Sequence, residues 1–99
     1  MEVLKPYRAK IDALDDKIID LLAERLAIID EVAVVKADRD IPAVLEDRVQ
    51  EVIENAARRA GEKGVDPELA RRIYAVIVAW CCDVEHEYID AQRTRTAAR

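Results

Sequence analysis

Three long cations stand where helical periodicity calls for apolar side chains: Arg25 and Lys36 in one long amphipathic stretch, and Arg48 in the next. In the first stretch the apolar face runs Ile11, Leu14, Ile18, Leu21, then Arg25, then Ile28, Val32 and Val35. Arg25 interrupts this 3-4 rhythm without shifting its phase, so it is expected to point inward. Lys36 follows about three turns later, within roughly 20° of the same line. In the second stretch Leu45, Arg48 and Val52 repeat the arrangement. A buried, unpaired cation costs several kcal/mol, so three of them call for something anionic in the space between. The chemistry this pattern points to is recognition of a negatively charged ligand. A plainer alternative is that each cation extends its head to water, or pairs with a buried carboxylate.

One carboxylate is placed to be that partner. Glu85 follows Tyr74, Val78 and Cys81 on one helical stripe and is expected to face inward, with Ile73, Ile77, Trp80, Val84 and Tyr88 as neighbouring core. It either neutralises an inward cation or stays protonated and donates a hydrogen bond.

The elements that position these groups are helical. The 99 residues make one small domain; 52% are hydrophobic and 37% charged, with two Gly and no Phe. The first helix is expected to start between Val3 and Tyr7, with Pro6 in its first turn, and to run to Ala37 or Asp38. Ile41-Pro42 breaks it. A second helix is expected over Val44 to Glu62, closed by Gly61 and Gly64. Asp66 then caps a third helix starting at Pro67 and running to Gln92. Residues 1–92 form the domain, and the polar tail 93–99 is expected to fray.

A first helix of this length overhangs a compact domain, whose radius of gyration at this size is only about 13 Å. Its apolar face calls for a second copy of the chain, giving an all-α, three-helix, intertwined homodimer. A coiled-coil spacer is the rival, but the apolar pattern breaks at Pro42 and does not resume in register.

Several classes are disfavoured. The net charge of −5 argues against general nucleic-acid binding. The chain has neither the apolar core of a signal peptide nor a run of membrane-spanning length, so it reads as soluble and cytoplasmic. Cys81 and Cys82 are adjacent, an arrangement suited to packing and not to a structural disulfide or a metal site. His86, the single histidine, is expected on a helix surface and leaves no histidine triad.

Taken together, Arg8 in Tyr-Arg-Ala-Lys-Ile-Asp-Ala-Leu-Asp, Arg25 in Leu-Leu-Ala-Glu-Arg, Lys36, Arg48 in Glu-Asp-Arg-Val, and Gly-Val-Asp-Pro before the last helix resemble the all-helical class of chorismate mutases. The resemblance covers about residues 4 to 92. It implies a homodimer with two equivalent sites, each completed by Arg8 of the partner chain, and a small dicarboxylate substrate. By the same resemblance, Arg8 and Arg25 hold the substrate's two carboxylates. Lys36 donates to the ether oxygen that gains charge as the carbon–oxygen bond breaks. Arg48 orders the pocket's polar groups, and Cys81, Val49 and Leu45 contribute to its wall. The implied reaction is a pericyclic rearrangement of chorismate to prephenate, needing no nucleophile, metal or cofactor.

Three positions depart from that pattern. Val49 and Leu45 stand where family mutases commonly carry carboxylates near the ring hydroxyl, and Glu85 stands where a glutamine is usual. The Ile-Pro-Ala segment, the Lys36-to-Arg48 spacing and Trp80 are similar to isochorismate-pyruvate lyases. The run Cys82-Asp-Val-Glu-His-Glu-Tyr-Ile-Asp is similar to mutases of actinobacterial secondary metabolism that act on 4-amino-4-deoxychorismate. Chorismate mutase leads, these two activities are the alternatives, and a non-catalytic helical dimerisation module is the non-enzyme reading.

Overall fold

A computed structural model describes residues 1–97. After a 3-10 turn at Glu2–Leu4, three helices follow in order: α1 (Lys5–Asp38), α2 (Glu46–Glu62) and α3 (Pro67–Ala97). The described residues contain no strand, and no helix is long and apolar enough to cross a membrane.

α1 extends for 34 residues because nothing within it competes with helix: Pro6 lies in the first turn, where its missing N–H removes no internal bond. Its length is roughly 51 Å at 1.5 Å per residue. It ends on a Schellman arrangement. Asp40 takes a left-handed φ of 56°, and the Ile41 N–H reaches back to the Lys36 carbonyl at 2.8 Å. The end of α2 is built the same way: Gly64 has φ 75°, and the Val65 N–H donates to the Ala60 carbonyl at 2.9 Å. Asp66 caps α3 through Oδ1, which accepts the Glu68 N–H at 2.9 Å.

Two boundaries differ from the sequence expectation. α2 starts two residues late, because Leu45 stays extended (φ −116°, ψ 99°) as the residue before the helix. α3 overruns Gln92 as far as Ala97, since no Gly or Pro stops it and Arg93 sits 3.6 Å from Asp40 of the α1–α2 connection. Arg93–Ala97 are therefore helix where fraying was expected; positions 98 and 99 lie outside the described residues.

α3 is the central element, packed against α1 and against α2. Arg71 of α3 reaches Glu54 of α2 at 3.1 Å across that second contact. The buried side chains are few and mostly small: Ala33, Ala43, Ala57, Val78, Cys81 and Ile89, with Glu85 among them. Every residue from Met1 to Leu21 is exposed, including the apolar stripe Ile11, Leu14, Ile18 and Leu21. Trp80 and Ile73, expected in the core, are also exposed, Ile73 lying in an open groove with Ile18 and Leu21 of α1. The dimensions match: 64 × 27 × 16 Å, with a radius of gyration of 17.8 Å, against about 13 Å for a compact chain of this size.

Candidate active site

The three helices enclose a cavity of about 390 Å³ at the level where α3 crosses between α1 and α2. α1 contributes Arg25 and Lys36 to it, together with Ile28 and Val32; α2 contributes Arg48, Val49 and Val52; α3 contributes Val78, Cys81, Cys82 and Glu85. Ala43 and Leu45 close it from the α1–α2 connection. Seven of the eight positions singled out from the sequence thus line one space.

Lys36 is the most constrained of the cations. Its ammonium donates to the Ala43 carbonyl at 2.8 Å and lies 2.7 Å from Glu85 Oε1, with the two side chains only 14% and 6% exposed. Three things place it there: the α1 stripe turns it inward, the Schellman stop brings the Ala43 carbonyl back over the helix end, and α3 sets Glu85 opposite. Glu85 Oε1 is fully buried, yet no donor among the described residues is aligned for a hydrogen bond to it. The Lys36 contact is electrostatic and off the hydrogen-bonding axis. The buried carboxylate is thus held in the cavity wall by the charge of the ammonium opposite it.

Arg25 is half-buried and donates through Nη1 to Cys81 Sγ at 3.2 Å. A thiol is a weak acceptor, so most of the donors on this guanidinium are left for a ligand. Cys82, next along α3, also lines the cavity, and burial, followed by the charge of Glu85, pushes its thiol above the ordinary cysteine range.

Arg48 corrects the sequence expectation. Its side chain is 64% exposed and pairs with Glu51 one turn along α2, so in the single chain it rims the cavity and does not point into it. An exposed i,i+3 partner satisfies it at no desolvation cost. Arg8 is exposed on the free half of α1 and lines none of the main cavities. Seventeen residues separate it from Arg25, about 26 Å along the helix, so it cannot reach its own chain's cavity.

Two wall elements were not found from sequence. Cys82 lies about 100° around the helix from Cys81 and is not on the Glu85 stripe. The Ala43 carbonyl is a backbone group, and only the Pro42 break hinted that the chain turns back there.

The cavity therefore presents Arg25, Lys36 and one carboxylate, with Arg48 at its rim, on a small all-helical frame. That arrangement suits a small dicarboxylate and offers no nucleophile paired with a base. The profile of the family chorismate mutase type II matches residues 7–86, and the chain belongs to that family. Among its relatives, a 4-amino-4-deoxychorismate mutase of Streptomyces pristinaespiralis is 34% identical over 86 residues, covering 87% of this chain and 67% of that protein. A second 4-amino-4-deoxychorismate mutase, from Streptomyces venezuelae, is 33% identical over 83% of this chain and 80% of its own. A chorismate mutase of Methanocaldococcus jannaschii is 25% identical over 96% of each chain.

Proposed function

We propose that the protein is a chorismate mutase, rearranging chorismate to prephenate within this cavity, and that it works as a homodimer in the cytoplasm. The observation that carries the reading is the cavity itself, where Arg25, Lys36 and Glu85 converge on one enclosed space and Arg48 stands at its rim. Arg25 holds one substrate carboxylate, and the partner chain's Arg8 holds the other. A second copy laid along the exposed stripe of α1 supplies that arginine and covers Ile11, Leu14, Ile18 and Leu21 in the same step.

Lys36 faces the ether oxygen, where negative charge grows in the transition state and a preorganised ammonium stabilises it. Glu85 lies beside it. It stands beside the same oxygen, where a neutral acid would be a second donor and an ionised one would repel the growing charge. Enclosure by apolar Val49, Leu45, Val52 and Val78 holds the substrate in its compact reactive shape. No bond to the protein forms at any stage.

A second reading, 4-amino-4-deoxychorismate as substrate, is favoured by the apolar Leu45 and Val49 and by the names of the two Streptomyces relatives. Incubation with chorismate, isochorismate and 4-amino-4-deoxychorismate, with identification of products, tests both. Prephenate from chorismate supports the leading reading. Pyruvate release from isochorismate alone assigns a lyase, and inactivity on all three leaves a dimerisation module.

A further inference from the structure

A second opening adjoins the cavity. It is a groove of about 570 Å³ between α2 and α3, and it shares Arg25, Arg48 and Val52 with the cavity. Its floor includes the small side chains Ala56 and Ala60 of α2 and Ala70 of α3, which leave room for another helix to approach closely. Its charged lining is entirely basic, adding Arg59 and Lys63. Arg48 is already paired with Glu51. Arg59 is held less firmly: its neighbour Glu62 stands 3.9 Å away, beyond hydrogen-bonding distance. The exposed half of α1 carries the complementary charge. Asp15 follows Arg8 by seven residues, so it lies about 10 Å along the helix and within about 20° of the same face. It is exposed and enters no ion pair among the described residues.

We propose that α1 of a second copy seats in this groove with the partner's Asp15 against Arg59, an ion pair that sets the register at which Arg8 enters the cavity. The inference rests on the shared-site mutase reading, which fixes the partner's Arg8 at the cavity end of the groove. From there, a helix running down the groove covers its own Ile11 and Leu14. On α2, Arg59 lies eleven residues beyond Arg48, about 16 Å, and its long side chain spans the remaining gap to an aspartate about 10 Å from Arg8. Two such pairs form in a symmetric dimer. An exposed pair of this kind contributes little, whereas one enclosed between two helices selects the register in which opposite charges meet.

Sedimentation of the full chain over a range of concentrations, at low salt, provides the test. Asp15→Lys and Arg59→Glu should each weaken the dimer at least about tenfold, because attraction turns to repulsion at two places. The protein carrying both changes should recover most of that loss. Asp16→Lys alters the net charge as Asp15→Lys does but lies about 100° round the helix from it, away from the apolar stripe, and should leave the dimer unchanged. Neither Asp15 nor Arg59 meets the substrate, so kcat on chorismate should match the wild type wherever a variant is dimeric. A dimer indifferent to both reversals, a doubly changed protein that recovers nothing, or an equal loss in Asp16→Lys overturns the inference, and prephenate formation by that dimer leaves the mutase reading intact. A wild-type chain that stays monomeric at every concentration removes the shared-site reading together with the inference.

Discussion

Lys36 and Arg25 were legible as inward cations because each occupies a slot in an apolar stripe, and a helix with a stripe that regular has one way to face its core. Glu85 was legible for the same reason, and it is buried as expected. Arg48 was not: an apolar phase says where a Cβ points, but a long side chain beside Glu51 finds its partner in water. If Lys36 stabilises charge that develops only in the transition state, Lys36→Met should lower kcat by at least ~100-fold while the fold survives, as circular dichroism would confirm. Retention of most activity would remove it from the mechanism. For Glu85 the sign is set by electrostatics, because an ionised carboxylate repels an oxygen that is gaining negative charge. Glu85→Gln, which removes the charge and keeps a donor, should therefore raise kcat on chorismate. A Glu85→Gln protein that is slower and less stable than the wild type would instead make Glu85 a permanent counter-ion to Lys36.

Among the helices, the stops were easier to read than the starts. Ile41-Pro42 and Gly64 announced the ends of α1 and α2, whereas the start of α2 depended on Leu45 staying extended, which no Gly or Pro at that position signals. The run to Ala97 was missed because polar composition was read as fraying, although nothing in Arg-Thr-Arg-Thr forbids helix. The two Schellman stops differ in the residue that carries the left-handed backbone, and that difference is measurable. At Gly64 no heavy atom lies within 4 Å of an added Cβ, so Gly64→Ala would meet only backbone strain. Its expected cost is about 1 kcal/mol in urea denaturation. Asp40 already bears such strain, so Asp40→Gly should be neutral or stabilising by up to about 1 kcal/mol. A loss of stability there would mean that the Asp40 carboxylate, through Arg93, holds the connection in place. That connection also presents the Ala43 carbonyl to Lys36, so the same variant should be assayed for activity.

At the scale of the molecule, the sequence required a partner for α1, and in the structure its first half lies exposed, including Ile11, Leu14 and Arg8. Sedimentation should report twice the 11.2 kDa of the chain. The shared-site arrangement has a sharper test: Arg8→Ala and Lys36→Ala proteins should each be nearly inactive, yet regain activity when unfolded, mixed and refolded together. The heterodimer then has one site spoiled twice and one untouched. A demonstrated heterodimer with no activity would show that Arg8 does not act across the interface.

The bare half of α1 also bears on how much enzyme a cell obtains from a given supply of chain. If each pocket lacks an arginine until two chains meet, the number of working sites well below the dissociation threshold grows with the square of chain concentration. Halving synthesis there would remove about three quarters of the activity. Any change that weakens the contact along Ile11, Leu14 and Ile18 would move that threshold without touching a residue that meets the substrate.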